Sequence, residues 1–242
     1  MDDSDKAFFD PRLISARFGI RKHPKTGGNH DEAEFSSLGG CGDGCSDPCY
    51  QQRGPNTTEC TGTITTTVNG GLTVKAGDVC ILNGATINGG IDMSGGQLLV
   101  CNSTVNGQID VSGGLCVGLG VGSKDLDSEN LAAYGLSSCP ADTLNGHLIV
   151  ENVSSIGAGI TCPGTGDVEV EGSTLNGSVD INNNAGNQPP GPNNGNVELE
   201  DNSIHGTLKC SGNTTQGNLT NPINQGFTNT VTGNEKDQCA GL

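Results

Sequence analysis

The chain has 242 residues and a formal charge of −16, with 40 Gly, no Trp and 3% aromatic against 32% hydrophobic residues. So few large side chains exclude a broad layered core, and without a run of about 18 apolar residues no helix is expected to span a membrane. Residues 1–53 carry seven of the 11 basic and nine of the 27 acidic residues; the rest has four Lys, no Arg and 18 acids, which excludes nucleic-acid binding by the body and would repel a polyanionic glycan unless calcium intervened.

In chain order, residues 1–58 stand apart. They hold Phe8, Phe9, Phe18 and Phe35, four of the five Phe, and Pro11 interrupts the mixed apolar and basic stretch from Ala7 to Ile20. This segment reads as a tail and Cys-rich cap over one end of the following domain; the rival assignment is a docking segment for a partner or second subunit. No charged n-region followed by an apolar stretch opens it, so no signal peptide is expected unless one was removed. Eleven cysteines point to a disulfide-stapled protein of an oxidising compartment, with an odd thiol left over. Cys41, Cys45, Cys49 and Cys60 cluster as disulfide candidates. The spacing of Cys41, Cys45 and Cys49 is too wide for a zinc knuckle, and no His pair accompanies them.

From residue 59 a phrase recurs: Thr67-Val68-Asn69-Gly70, Thr86-Ile87-Asn88-Gly89, Thr104-Val105-Asn106-Gly107, Thr143-Leu144-Asn145-Gly146, Thr174-Leu175-Asn176-Gly177 and Ser203-Ile204-His205-Gly206. Each is closed by two apolar residues in alternation, from Leu72 and Val74 to Leu208 and Cys210, which places Cys210 as a buried core thiol. A second extended segment precedes each phrase, as in Val79-Cys80-Ile81-Leu82 and Leu98-Leu99-Val100-Cys101. Later ones alternate apolar and acidic residues (Val168-Glu169-Val170-Glu171, Val197-Glu198-Leu199-Glu200), the pattern of a strand with one buried face. Gly-rich turns such as Ser94-Gly95-Gly96 separate the strands. Fixed-period self-similarity marks a solenoid whose rungs bury their apolar face by stacking.

The phrase aliphatics are 19, 18, 39, 31 and 29 residues apart. The short steps set the minimal rung; the 39-residue step is either two rungs or one with a long excursion. Loop insertions are expected near 112–140, 154–166 and 182–196, mostly after the phrase strand. The expected fold is all-β: a right-handed parallel β-helix of about five to eight rungs, spanning 59–242 behind the cap.

The phrase aliphatic-Asn-Gly-x-aliphatic-x-aliphatic resembles the rungs of right-handed parallel β-helices, the class of pectate-lyase-like proteins and many surface adhesins, and more loosely those of bactofilins. The resemblance covers roughly residues 62–212. It implies a polysaccharide-active, adhesive or polymer-forming β-helix. Two departures stand out: the basic catalytic residues of the lyases have no counterpart here, and bactofilins are cytoplasmic and poor in cysteine.

Three chemistries compete. Outward Thr67, Thr86, Thr104, Thr143 and Thr174 with Asn69, Asn88, Asn106, Asn145 and Asn176 form polar ladders, expected to hydrogen-bond along the stack or to order water as ice-binding solenoids do. The columns Asp92 with Asp110, Glu169 with Glu198 and Glu171 with Glu200 read either as a solvated acidic face or as oxygen ligands for Ca²⁺. A glycosidase needs two carboxylates about 5–9.5 Å apart in a groove with aromatic platforms, for which the body offers Tyr134 and Phe227; His147 and His205 have no expected nucleophile nearby. Six sequons, at Asn56, Asn102, Asn152, Asn176, Asn213 and Asn218, are near chance frequency for so Asn- and Thr-rich a chain. The reading these support is a non-catalytic extracellular or cell-surface structural or adhesive solenoid without a required cofactor, partnered by itself or by a surface or matrix glycan or protein. Lyase or glycosidase activity and ice binding are the alternatives.

Overall fold

A computed structural model describes residues 56–121, 131–154, 162, 167–186, 197–215, 218–219, 222 and 227–242. Two compact units divide the chain, Met1–Cys49 and Tyr50–Leu242. The expected cap, with Cys41, Cys45 and Cys49, lies outside the described residues.

The second unit is a parallel β-solenoid. Its backbone visits three sheets in turn and returns to each one rung further on. The phrase pairs form a seven-stranded ladder sheet, from Thr67–Val68 to Thr230–Val231. The closing aliphatics form an eight-stranded long sheet, from Thr57–Glu59 through Gly71–Val74 to Glu235–Asp237. The intervening segments form a six-stranded return sheet, from Thr63–Ile64 to Val197–Glu200.

Register keeps like residues in line: Thr67, Thr86, Thr104, Thr143, Thr174, Ser203 and Thr230 are successive Cα partners. Thr104 pairs directly with Thr143, so the 39-residue step is one rung with an excursion. That excursion does not follow the phrase strand as expected. The return strand Cys116–Leu119 forms first, and the chain leaves after it. The seventh phrase, Thr230-Val231-Thr232-Gly233, escapes the sequence pattern because Thr232 replaces Asn, and Glu235 and Asp237 replace the closing aliphatics.

Inward aliphatics from successive rungs build one narrow core. Leu72, Ile91, Ile109, Leu148, Val179 and Leu208 stack in one column, all fully buried. Burying each such side chain contributes roughly 1.5–3 kcal/mol, so Val, Ile and Leu suffice where a layered globule would need aromatics. The phrase glycines have a steric cause. A Cβ on Gly89, Gly107, Gly146 or Gly206 would lie 2.5–2.7 Å from backbone of the glycine one rung below. None of these four has positive φ. Left-handed backbone sits instead at the corners, at Gly84, Asn102, Gly172 and Asp201, each just ahead of a ladder strand.

The outer face of the return sheet is also covered, contrary to the one-faced reading of its alternation. Ile81, Leu99 and Cys101 pack with Val121, Leu131 and Cys139 in a satellite core, where the excursion carries a 3-10 turn at Leu131–Tyr134. Tyr134 Oη donates to Gln97 Oε1 at 2.5 Å, and burial raises the phenol pKa. Disulfides join Cys60 to Cys80, Cys101 to Cys139, Cys116 to Cys162 and Cys210 to Cys239. Cys60 therefore pairs with a rung cysteine, and Cys210, although fully buried, is not a free thiol: Cys239 closes over it from the chain end.

Cys101–Cys139 pins the excursion across 38 residues of sequence. Replacing both by Ser is expected to cost roughly 2–4 kcal/mol. Hydrogen exchange should rise in residues 131–140, with the ladder sheet still protected; uniform loss of protection would show that the excursion is integral to the solenoid.

Candidate functional site

The most regular exposed feature is the edge of the ladder sheet. Asn69, Asn88, Asn106, Asn145 and Asn176 are all exposed and joined in one direction. From Asn88 to Asn176 each Nδ2 donates to the Oδ1 one rung below, at 2.8, 2.9, 2.8 and 2.7 Å. The Thr column lies beside them, half-buried from Thr86 to Thr174 and exposed at Thr67. The structure thus brings together all ten sequence-expected ladder residues, five rungs deep. His205 takes the next Asn slot, and its Nε2 lies 3.2 Å from Ser203 Oγ, a hydroxyl that the sequence reading did not pair with it. His147 Nδ1 accepts from the Ser178 amide at 3.0 Å.

Exposed amide bonds are worth little each, because water competes for both partners. Asn106→Ala, which removes two of them, is expected to lower unfolding free energy by about 1–2 kcal/mol in urea titration. A loss as large as that of a core Leu→Ala change would show that the ladder carries the fold.

Two further ladders are buried. At the corner between return and ladder sheets, each side chain accepts a backbone N–H from the rung below. Ala85 N donates to Ser103 Oγ (3.0 Å), Ser103 N to Asp142 Oδ1 (2.7 Å) and Asp142 N to Ser173 Oγ (3.1 Å). Ser173 N then donates to Asn202 Oδ1 (3.0 Å) and Asn202 N to Asn229 Oδ1 (3.1 Å). The Ser and Asn members also donate, to the carbonyls of Cys101, Glu171, Val170 and Leu199. An ionised Asp142 can only accept. Its Oδ2 has no partner among the described residues, and burial pushes the carboxyl up to about 7, against the opposing amides of Ser103 and Gly120. At another corner Val153 N, Asn184 N and Asn213 N donate to Asn184 Oδ1, Asn213 Oδ1 and Gln238 Oε1. The available signal was the residue just before each phrase Thr: Ser103, Asp142, Ser173, Asn202 and Asn229.

The acidic columns form as expected in register but not in setting. Glu169 is the Cα partner of Glu198, and Glu171 of Glu200. All four are buried on the outer face of the return sheet, which overturns a solvated face there. Gly118 pairs with Glu169, so the column changes from Leu99 through a glycine to carboxylates. Asp92 and Asp110 are partners on the long sheet, half-exposed; further along, Asp180 pairs with Lys209. Among the described residues no three His, Cys, Asp or Glu side chains are grouped to hold a metal. No helix among them is long and apolar enough to cross a membrane. No family model, curated protein or solved structure matches the chain.

Proposed function

We propose that this protein is a non-catalytic structural or adhesive β-solenoid of the cell surface or extracellular space, acting through its polar ladder face. The observation that carries the reading is the exposed amide ladder, in register and hydrogen-bonded in one direction over five rungs beside a Thr column. Such a face presents repeated donors and acceptors about 4.8 Å apart. It needs no mobile group and suits a repetitive polar partner: a matrix glycan, a protein surface or a second copy side by side. Four disulfides among the described residues fit an oxidising location. Stacking of a further apolar rung on the strand Glu235–Asp237 is opposed by Glu235 and Asp237, which put charge where the rung before has the buried Leu208 and Cys210.

Sedimentation of the oxidised full chain, with and without millimolar calcium, together with retention on immobilised glycan and matrix-protein surfaces, tests this. Association or retention abolished by Thr104→Arg is expected. Binding indifferent to that substitution, or none of either kind, would overturn it. Calcium-dependent growth would mark the acidic columns as ligands. A polysaccharide-cleaving reading cannot use the paired Glu169 and Glu198, which are buried, and would need turnover that survives Glu169→Gln. The Thr column favours ice binding as a third, readable as thermal hysteresis sensitive to Thr86 or Thr104 replacement.

A further inference from the structure

We infer that this chain is built to fold in an oxidising compartment that does not attach N-linked glycans, because the Asn213-Thr214-Thr215 sequon occupies a position where fold and glycan exclude each other. Asn213 is fully buried. Its Oδ1 accepts the Asn184 amide (3.2 Å) and Asn184 Nδ2 (3.0 Å), while its Nδ2 faces Ile181 O (2.9 Å) and Gln238 Oε1 (3.2 Å). Asn213 is thus a rung of a buried corner ladder with both amide atoms in use.

Glycan transfer breaks the C1–O bond of a lipid-pyrophosphate-linked oligosaccharide. It forms a bond from C1 to Nδ2, releases the lipid pyrophosphate and takes one proton from the amide. One N–H then remains for two acceptors, and a hydrated sugar must enter a site with no solvent access. Because the acceptor of this reaction is the unfolded chain, burial in the finished fold gives no protection.

Other sequons differ. Asn102 and Asn152 are exposed, at left-handed corners with φ of 50° and 58°. Asn176 is exposed in the outer ladder and would keep one N–H for Asn145 Oδ1. A glycosylating route would therefore tolerate sugar at Asn102 and Asn152 and be defeated by the same reaction at Asn213. The four disulfides still require oxidation. The two constraints together describe an oxidising compartment without the transferase.

The test uses two versions of the full chain, each keeping one sequon, Asn102 or Asn213, with the third residue of the other five changed to Ala. Both are translated into oligosaccharyl-transferase-bearing membranes under reducing conditions, then oxidised and challenged with protease; unglycosylated samples of each control for the substitutions. The Asn102 glycoform is expected to recover all four rung disulfides and protease resistance to the level of its control. The Asn213 glycoform should lose Cys210–Cys239 and be digested. Equal recovery of the Asn213 glycoform, or no glycan on Asn213 even in the reduced chain, would overturn the inference.

Discussion

Asp142→Asn is expected to stabilise the protein at neutral pH and to remove this carboxyl's share of the dependence of stability on pH between about 4 and 7. The carboxyl is pushed up from 3.8 to about 7, first by burial, so the folded state holds a proton that the unfolded chain releases. Stability from this group is fully present below the unfolded value and is lost as pH rises toward the folded one. At ~1.4 kcal/mol per pH unit across about three units, the loss is on the order of 4 kcal/mol. Asn removes the charge and supplies the donor that Asn202 and Asn229 use to reach backbone carbonyls in the same ladder. Urea titrations from pH 4 to pH 8 should show the variant gaining on the parent as pH rises, by an amount on the order of 4 kcal/mol at pH 8. A difference that stays flat over that range would sink the assignment.

Gly146→Ala should be a strongly damaging change despite adding only a methyl group. Its Cβ would lie 2.5 Å from the Gly107 carbonyl oxygen and 2.6 Å from its carbon, and the crowding atoms are backbone of a bend held between the strands Thr104–Val105 and Ile109–Val111. The rungs must part locally, at a cost of about 3 kcal/mol and with weakened pairing of Thr104 to Thr143. Gly62→Ala provides the control, since a Cβ there meets nothing within 4 Å. Calorimetry should find Gly62→Ala near the parent and Gly146→Ala well below it, or absent from the soluble fraction. Equal melting temperatures would show that the stack breathes more than its spacing implies.

The periodic part of the fold was legible because its cause is periodic. Every rung repeats one steric demand at the glycine, one apolar demand inside and one hydrogen-bond opportunity at the Asn. The seventh phrase was hidden because its strand lies at the edge of the sheet: Glu235 and Asp237 have a strand partner on one side only among the described residues and need not be apolar. The outer ladder could be foreseen because Asn sits at a fixed offset from the phrase. The corner ladder was obscured because Ala85, Ser103, Asp142, Ser173 and Asn202 share a hydrogen-bonding position rather than a residue type.

The same distinction separates what the chain's pattern determined alone from what three dimensions decided. Strand phase, core composition, parallel stacking and the Thr and Asn columns follow from local residue choice repeated at intervals, so the sequence by itself determined them. Tertiary structure decided the burial of Glu169, Glu171, Glu198 and Glu200, the partners of Cys60 and Cys210, the neutral-pH titration of Asp142 and the conflict at Asn213. Burial and pairing depend on what distant chain lays over a strand, and an alternating acidic strand is the same string of residues whether its outer face meets water or protein.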